Sequence, residues 1–299
     1  MKYGVQLHPL GQFPDVAAII DTTKRIEALG FDYVSLPEHT IFPVALEGML
    51  TRTWYEPLTM VSHLVAHTRT LNFFTAATVI TQHNPIQLAK QAVTIDVISG
   101  GRLGLCLAGG WLEQEITWLG GNPRTRGKTV EEYIQLMRTL WTEDPASFSG
   151  TTYSFDNASF HPKPTHGTVP LFVGGIASVS APRAARLGDG WMPTNSFEDL
   201  KSGLVTLDRE LQTAGRTREN FPVFAELPLF EQPEGVREHL LKMDAQLPET
   251  FAGDYDKAQQ RDSELKALGI THATIFPSFP DIERLHRELE IFARQFIGA

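Results

Sequence analysis

The 299-residue sequence has one cysteine, Cys106, fewer basic than acidic residues, and no run approaching the ~20 apolar residues of a membrane-spanning helix. The lone thiol excludes an intramolecular disulfide and any metal site built from several cysteines. With 26 Lys and Arg against 35 Asp and Glu, the net charge is −9. Nucleic acid is bound by clustered cations that displace counterions, so neither it nor a membrane is an expected partner. A local basic pocket for one phosphate is compatible with that balance. The opening residues, Met1 to Phe13, lack the apolar stretch and small-residue cleavage site of a secretory leader, and the expected location is cytoplasmic. The dinucleotide fingerprint Gly-x-Gly-x-x-Gly is missing too. The first strand runs into Gln6-Leu7-His8-Pro9, and Gly188-Asp-Gly190 has Pro193 where the third glycine belongs.

What is present is a repeated unit of apolar strand, turn, amphipathic helix and glycine. Strands are expected at Tyr3–Leu7, Phe31–Leu36, Leu71–Ile80, Leu103–Leu107, Leu171–Val173, Gly190–Pro193, Phe221–Phe230 and His272–Phe276. Between them, helical faces such as Val16, Ile19, Ile20 and Ile26 recur at a spacing of three to four. Pro57 and Pro85 suit first helical turns, where the missing N–H is not needed. Thr129-Val-Glu-Glu132 and Ser196-Phe-Glu-Asp199 have the spacing of capping boxes. Residues 146–165, with Phe148, Tyr153, Phe155 and Phe160 among Gly, Ser, Thr and Asn, are expected to form a hairpin insertion. Helices between successive strands force parallel pairing, and eight such units close into a β/α (TIM) barrel. No linker divides the chain, so one domain over 1–299 is expected.

In such a barrel chemistry gathers where the strands end, because the loops there converge on one mouth. Those ends carry His8, Glu38-His39, Gln82-His83-Asn84, Gly109-Gly110-Trp111, Gly174-Gly175, Asn195 and Ser278. One reading lets His8, Glu38 or His39, and His83 hold a hydrolytic metal. It is weakened by Gln6-Leu7-His8 in place of His-x-His and by Phe276-Pro277-Ser278 with no Asp. The other reading is a pocket for an organic cofactor. Trp54, Tyr55, Trp111 and Trp191 near the mouth suit a flat conjugated ring. Gly174-Gly175 through Ser178 and Ser180, at a strand-to-helix junction, offers backbone N–H groups to a phosphate.

Six segments, in order, resemble the bacterial luciferase-like oxidoreductases, the flavin- and deazaflavin-dependent barrels, and among them the short members assigned to coenzyme F-420. They are Leu29–His39, Asn84–Ala92, Asp96–Arg102, Gly109–Glu115, Phe172–Gly175 and Arg186–Trp191. The resemblance implies an oxidoreductase that transfers a hydride between coenzyme F-420 and a small organic substrate. The alternatives are an FMN-dependent monooxygenase of the same fold and a non-catalytic flavin-binding barrel. It implies His39 as the proton-handling residue, Glu38 beside the ring, and Ala76-Ala77-Thr78 as a bulge behind it, often with a non-proline cis peptide. It further implies Gly174, Gly175 and Ser178 at the phosphate and Gly109-Gly110 beneath a planar ligand. His8, Trp54 and Trp111 are expected to shape the substrate pocket, with no metal. The sugar-phosphate dehydrogenases of this family carry a catalytic glutamate where this chain has Trp111, with Glu113 and Glu115 further along. That leaves the substrate open. Asp96 and Arg102 are expected to form a structural ion pair. Family members are often dimers, so the resemblance allows a homodimer.

Overall fold

The computed structural model describes residues 1–298 apart from 8–12, 48–49, 195, 230–249, 252 and 277–280. Among them, eight parallel strands alternate with helices. The strands are β1 (Lys2–Gln6), β2 (Tyr33–Leu36), β3 (Asn72–Val79), β4 (Leu103–Ala108), β7 (Leu171–Gly175), β8 (Gly190–Pro193), β9 (Phe224–Leu227) and β10 (His272–Ile275). The helices are α1 (Val16–Ala28), α2 (Pro57–Leu64), α3 (Pro85–Ser99), α4 (Glu113–Trp118), α5 (Arg126–Thr142), α6 (Ala177–Leu187), α7 (Phe197–Thr213), α8 (Tyr255–Ala267) and α9 (Ile282–Phe292). The strand order is β8-β7-β4-β3-β2-β1-β10-β9. A bridge between Trp191 and Val223 brings β8 against the start of β9, which nearly closes the sheet into a TIM barrel. The expected hairpin is β5 (Ala146–Ser149) paired antiparallel with β6 (Ser154–Ala158), outside the barrel sheet.

Alternation along the strands splits the core in two. One parity, including Val34, Phe73, Leu105, Val173 and Ala273, packs against the helices. The other fills the barrel: Tyr33, Phe74, Phe172 and Phe224 form an aromatic layer with His272 stacked on Phe224 at 4.4 Å. Glycines on neighbouring strands make that layer possible. A Cβ on Gly4 would sit 2.1 Å from the Tyr33 ring, and one on Gly104 would sit 2.9 Å from both Phe74 and Phe172. Above the rings the inward positions shrink to Ala76, Cys106, Ala108 and Gly174, so the barrel is packed below and hollow toward its mouth.

Helix starts follow local chemistry. Asn84 caps α3 by accepting from the N–H groups of Ile86 and Gln87, with Pro85 at the first helical position. Ser196 caps α7 as its spacing predicts. The Thr129 capping box is a misreading. Helix α5 already begins at Arg126, and Thr129 spends its hydroxyl on the Thr125 carbonyl. Glu132 instead holds the hairpin, accepting from the N–H groups of Thr152 and Tyr153. The expected Asp96–Arg102 ion pair is also corrected. Asp96 accepts from the Thr165 N–H at 2.6 Å, and Arg102 knits a separate corner by donating to Val65, Thr68, Leu71 and Ser99. Trp191, expected near the mouth, lies on the outward parity, fully buried, with its indole N–H on the Ser180 hydroxyl. No helix of the described residues is long and apolar enough to cross a membrane.

Candidate active site

A cavity of about 1020 Å³ opens where β2, β3, β4 and β7 end. Its β7 wall is backbone. A Cβ on Gly174 would come within 2.6 Å of the Cys106 sulfur, so that strand can approach β4 only without a side chain. Gly175 has φ +113, which disfavours any L side chain, and its missing Cβ would meet nothing within 4 Å. Helix α6 begins two residues later, and Arg124, Arg126 and Arg183 also line the cavity. Arg183 pairs with Glu131 and Arg126 with Glu113, each at 3.2 Å, whereas the exposed Arg124 pairs with no carboxylate among the described residues. A chain of net charge −9 thus places three guanidinium groups in the wall of one cavity, two of them paired with carboxylates.

Elsewhere in the cavity wall, two carboxylates are saturated. Glu38 is 5% exposed and accepts from the Val79 N–H at 2.5 Å and contacts His83 Nε2 at 2.8 Å. Val79 closes the irregular end of β3, where the register against β4 shifts between Ala76 and Thr78 and the Ala76–Ala77 peptide is cis. Burial works against the charged His83 imidazole, but the hydrogen bond and charge of Glu38 outweigh it and raise the pKa. Glu38 therefore fastens the β3 bulge and the loop after it, and both its oxygens are occupied by protein.

Glu115, on α4, does the same for the neighbouring histidine. Its Oε2 lies 2.7 Å from His39 Nδ1, and its Oε1 accepts from the N–H groups of Thr40 and Ile41. Burial alone would raise the Glu115 pKa, but the His39 bond, the backbone donors and the imidazole charge lower it. A carboxylate at Nδ1 makes that nitrogen the donor in the neutral ring and leaves Nε2 as the acceptor. Trp54 and Trp111 stand edge-on to the ring at 4.8 and 5.7 Å, and both line the cavity. The arrangement is an oriented base at the mouth of a largely apolar space.

Of the residues singled out in the sequence, Glu38, His39, Trp54, Ala76, Ala77, Gly109, Gly110, Trp111, Gly174 and Gly175 line this one cavity. Thr78 and Ser178 do not. Thr78 is buried and bonds the Thr75 hydroxyl at 2.9 Å, and Ser178 is exposed one position off the cavity, while Ser180 lines it and bonds the Gly175 carbonyl. Tyr55 packs into the helix-side core. His8, Asn195 and Ser278 lie outside the described residues. Sequence reasoning named Glu115 only as lying beyond Trp111, and it passed over the three arginines and Glu226. The first acts across 76 positions and the arginines are scattered through the chain, so neither leaves a local motif. Glu226 did leave one: it is the charged residue in Phe224–Leu227, at an inward position.

The profile of the luciferase-like monooxygenases matches residues 2–274. An uncharacterized protein of Mycobacterium tuberculosis is 29% identical over 231 residues, covering 72% of this chain and 80% of the relative. An F420-dependent glucose-6-phosphate dehydrogenase of Intrasporangium calvum is 27% identical over 241 residues, 77% of this chain and 70% of that one. An FMNH(2)-dependent dimethylsulfone monooxygenase of Pseudomonas fluorescens is 36% identical over 124 residues, 40% of this chain and 33% of the other. Among solved structures, an F420-dependent secondary alcohol dehydrogenase in complex with an F420-acetone adduct superposes with a TM-score of 0.81 at 19% identity, covering 98% of each chain. Barrel, glycine turn and matched profile agree: the chain belongs to the luciferase-like monooxygenase family.

Proposed function

We propose that this protein is an oxidoreductase that binds coenzyme F-420 in the cavity and transfers a hydride between it and a small organic substrate. The observation that carries the reading is a single cavity lined by an open glycine turn, three arginines and a carboxylate-oriented histidine. The residues fit such a group. The space beside Gly175 would admit a phosphate, with α6 and Arg124 supplying positive charge. The small side chains of Ala76, Ala77 and Ala108 leave room for a flat ring. Gln82, also in the wall, has a buried Nε2 without a partner among the described residues.

When bound, the deazaflavin supplies the hydride donor or acceptor. The chain's part is to hold a proton at His39 Nε2. Glu115 fixes the ring orientation and stabilises the imidazolium that forms when Nε2 accepts that proton. Trp54 and Trp111 flank the imidazole edge-on. Glu38, with both oxygens bonded, supports the β3 wall instead of reaching a ligand.

A second reading, FMN with oxygen as co-substrate, is favoured by the FMNH(2)-dependent relative, whose matched segment is the more identical of the two named enzymes. Both cofactors present a phosphate and a tricyclic ring, so the same residues serve. Titration of the purified protein with F-420 and with FMN tests the shared reading, and oxygen uptake with supplied FMNH2 separates the two. Gly175→Asp, which puts a carboxylate and a strained backbone at the turn, is expected to weaken binding about a hundredfold, or ~2.7 kcal/mol. His39→Ala should leave binding intact and abolish turnover. Unchanged binding in Gly175→Asp removes the phosphate site, and full turnover in His39→Ala removes the base.

A further inference from the structure

Glu226 lines the cavity floor from β9. Counting round the sheet, β9 stands four strands from β3, so Glu226 is across the barrel from Ala76 and Ala77. It shares its rung with Thr274, and the inward position before it is Phe224 of the aromatic layer. No described residue bonds its carboxyl or pairs with it, although Glu38 and Glu115 are saturated in the same cavity.

The groups around Glu226 give its charge no help. Thr274 on β10 shares a hydrogen bond with the Tyr33 hydroxyl of β2, and β1 and β8 contribute Gln6 and Met192. Burial raises the pKa values of Tyr33 and Cys106, keeping both neutral. His272 is pushed down to about 4 by burial and by the nearby charges of Lys2 and the N-terminus. The charged residues lining the cavity, Glu113, Glu115, Arg124, Arg126 and Arg183, stand on α4 to α6 and the loops at the mouth, with Glu38 and His39 after β2. Burial without a partner pushes the Glu226 carboxyl up to about 7.

We propose that Glu226 is the substrate-recognising acid of the cavity: as a neutral carboxyl it donates a hydrogen bond to the oxygen of an uncharged carbonyl compound. An ammonium is the poorer guest, since it must be stripped of water and brings three N–H donors to a floor with one free carboxyl. A carboxylate or phosphate would bring a full negative charge to a floor where Gln6, Met192, Phe224 and Thr274 offer no cation to balance it. A carbonyl presents one acceptor to one donor, and its apolar body suits Phe224 and Met192. Assigning that carbonyl as the reacting group rests on the proposed function. The binding preference rests on the cavity alone.

The test measures binding of cyclohexanone and cyclohexylammonium to the whole protein by ligand-observed NMR between pH 6 and 8, with and without the cofactor. Wild type is expected to bind cyclohexanone about tenfold more weakly at pH 8 than at pH 6, because the donor is lost as the carboxyl ionises. Glu226→Gln, which keeps a donor, should bind it independently of pH. Glu226→Leu should bind about tenfold more weakly than wild type at pH 6. A pH-flat wild type, a pH dependence that survives in Glu226→Gln, full affinity in Glu226→Leu, or tighter binding of cyclohexylammonium overturns the proposal. Titration of F-420 and FMN into the same samples reads the proposed function separately. A chain that binds neither yet holds cyclohexanone through Glu226 keeps this inference and loses that one.

Discussion

Four glutamates line one cavity: Glu113 pairs with Arg126, and the other three divide its walls. On the β2–β4 side, Glu38 and Glu115 are bonded at both oxygens by backbone N–H groups and histidines. On the β9 side, Glu226 has no partner among the described residues, and burial raises its pKa to about 7. A buried carboxylate that the fold has satisfied stabilises the fold, and its removal strands its donors. One that is left unsatisfied costs stability and is available to a ligand. The difference separates carboxylates that hold the wall together from one left open to a ligand.

That contrast breaks most readily at Glu38. Glu38→Ala leaves the Val79 N–H and His83 without their acceptor, and is expected to destabilise the protein by about 3–5 kcal/mol in urea unfolding at pH 7. A loss below 1 kcal/mol would put Glu38 with Glu226. The opposite sign is expected for Glu226→Gln. The unfolded carboxyl ionises near 4.5 and the folded one at about 7, so wild type loses stability as pH rises through that window and does not regain it above. The variant escapes this cost and should be more stable than wild type at pH 8, by up to about 3 kcal/mol. A variant no more stable at pH 8 than at pH 5, each relative to wild type, contradicts the unpartnered state. The smallest effect belongs to His83. Its folded pKa is raised, so the stability it adds is fully present below the unfolded value of 6.5 and fades as pH rises through the folded one. His83→Gln should therefore cost more at pH 6 than at pH 9, and the reverse order would mean that Glu38 does not hold a charged partner.

The scaffold was the more legible half. Alternating strand and helix patterns marked all eight barrel strands, because periodicity is a local consequence of burial. The hairpin and the glycine turns were equally local. Errors arose where parity or cap position had to be fixed by tertiary contacts. Trp191 falls outward instead of into the mouth, and α5 starts one turn before Thr129. Within the site, residues adjacent to strand ends were found and those arriving from a distance were not. Glu115 reaches His39 from a short helix, a contact across 76 positions that no local pattern announces. Glu226 was visible as a charge inside an apolar strand, a pattern that parity alone would have turned toward the cavity.

The central claim is that the cavity beside Gly175 holds a phosphorylated flavin or deazaflavin. Equilibrium titration of the wild-type protein and Gly175→Asp with F-420 and FMN, followed by fluorescence, tests it most directly. The account predicts stoichiometric binding of at least one of the two by wild type and a loss of about a hundredfold in the folded variant. Binding of neither cofactor, or equal binding by both proteins, would contradict it.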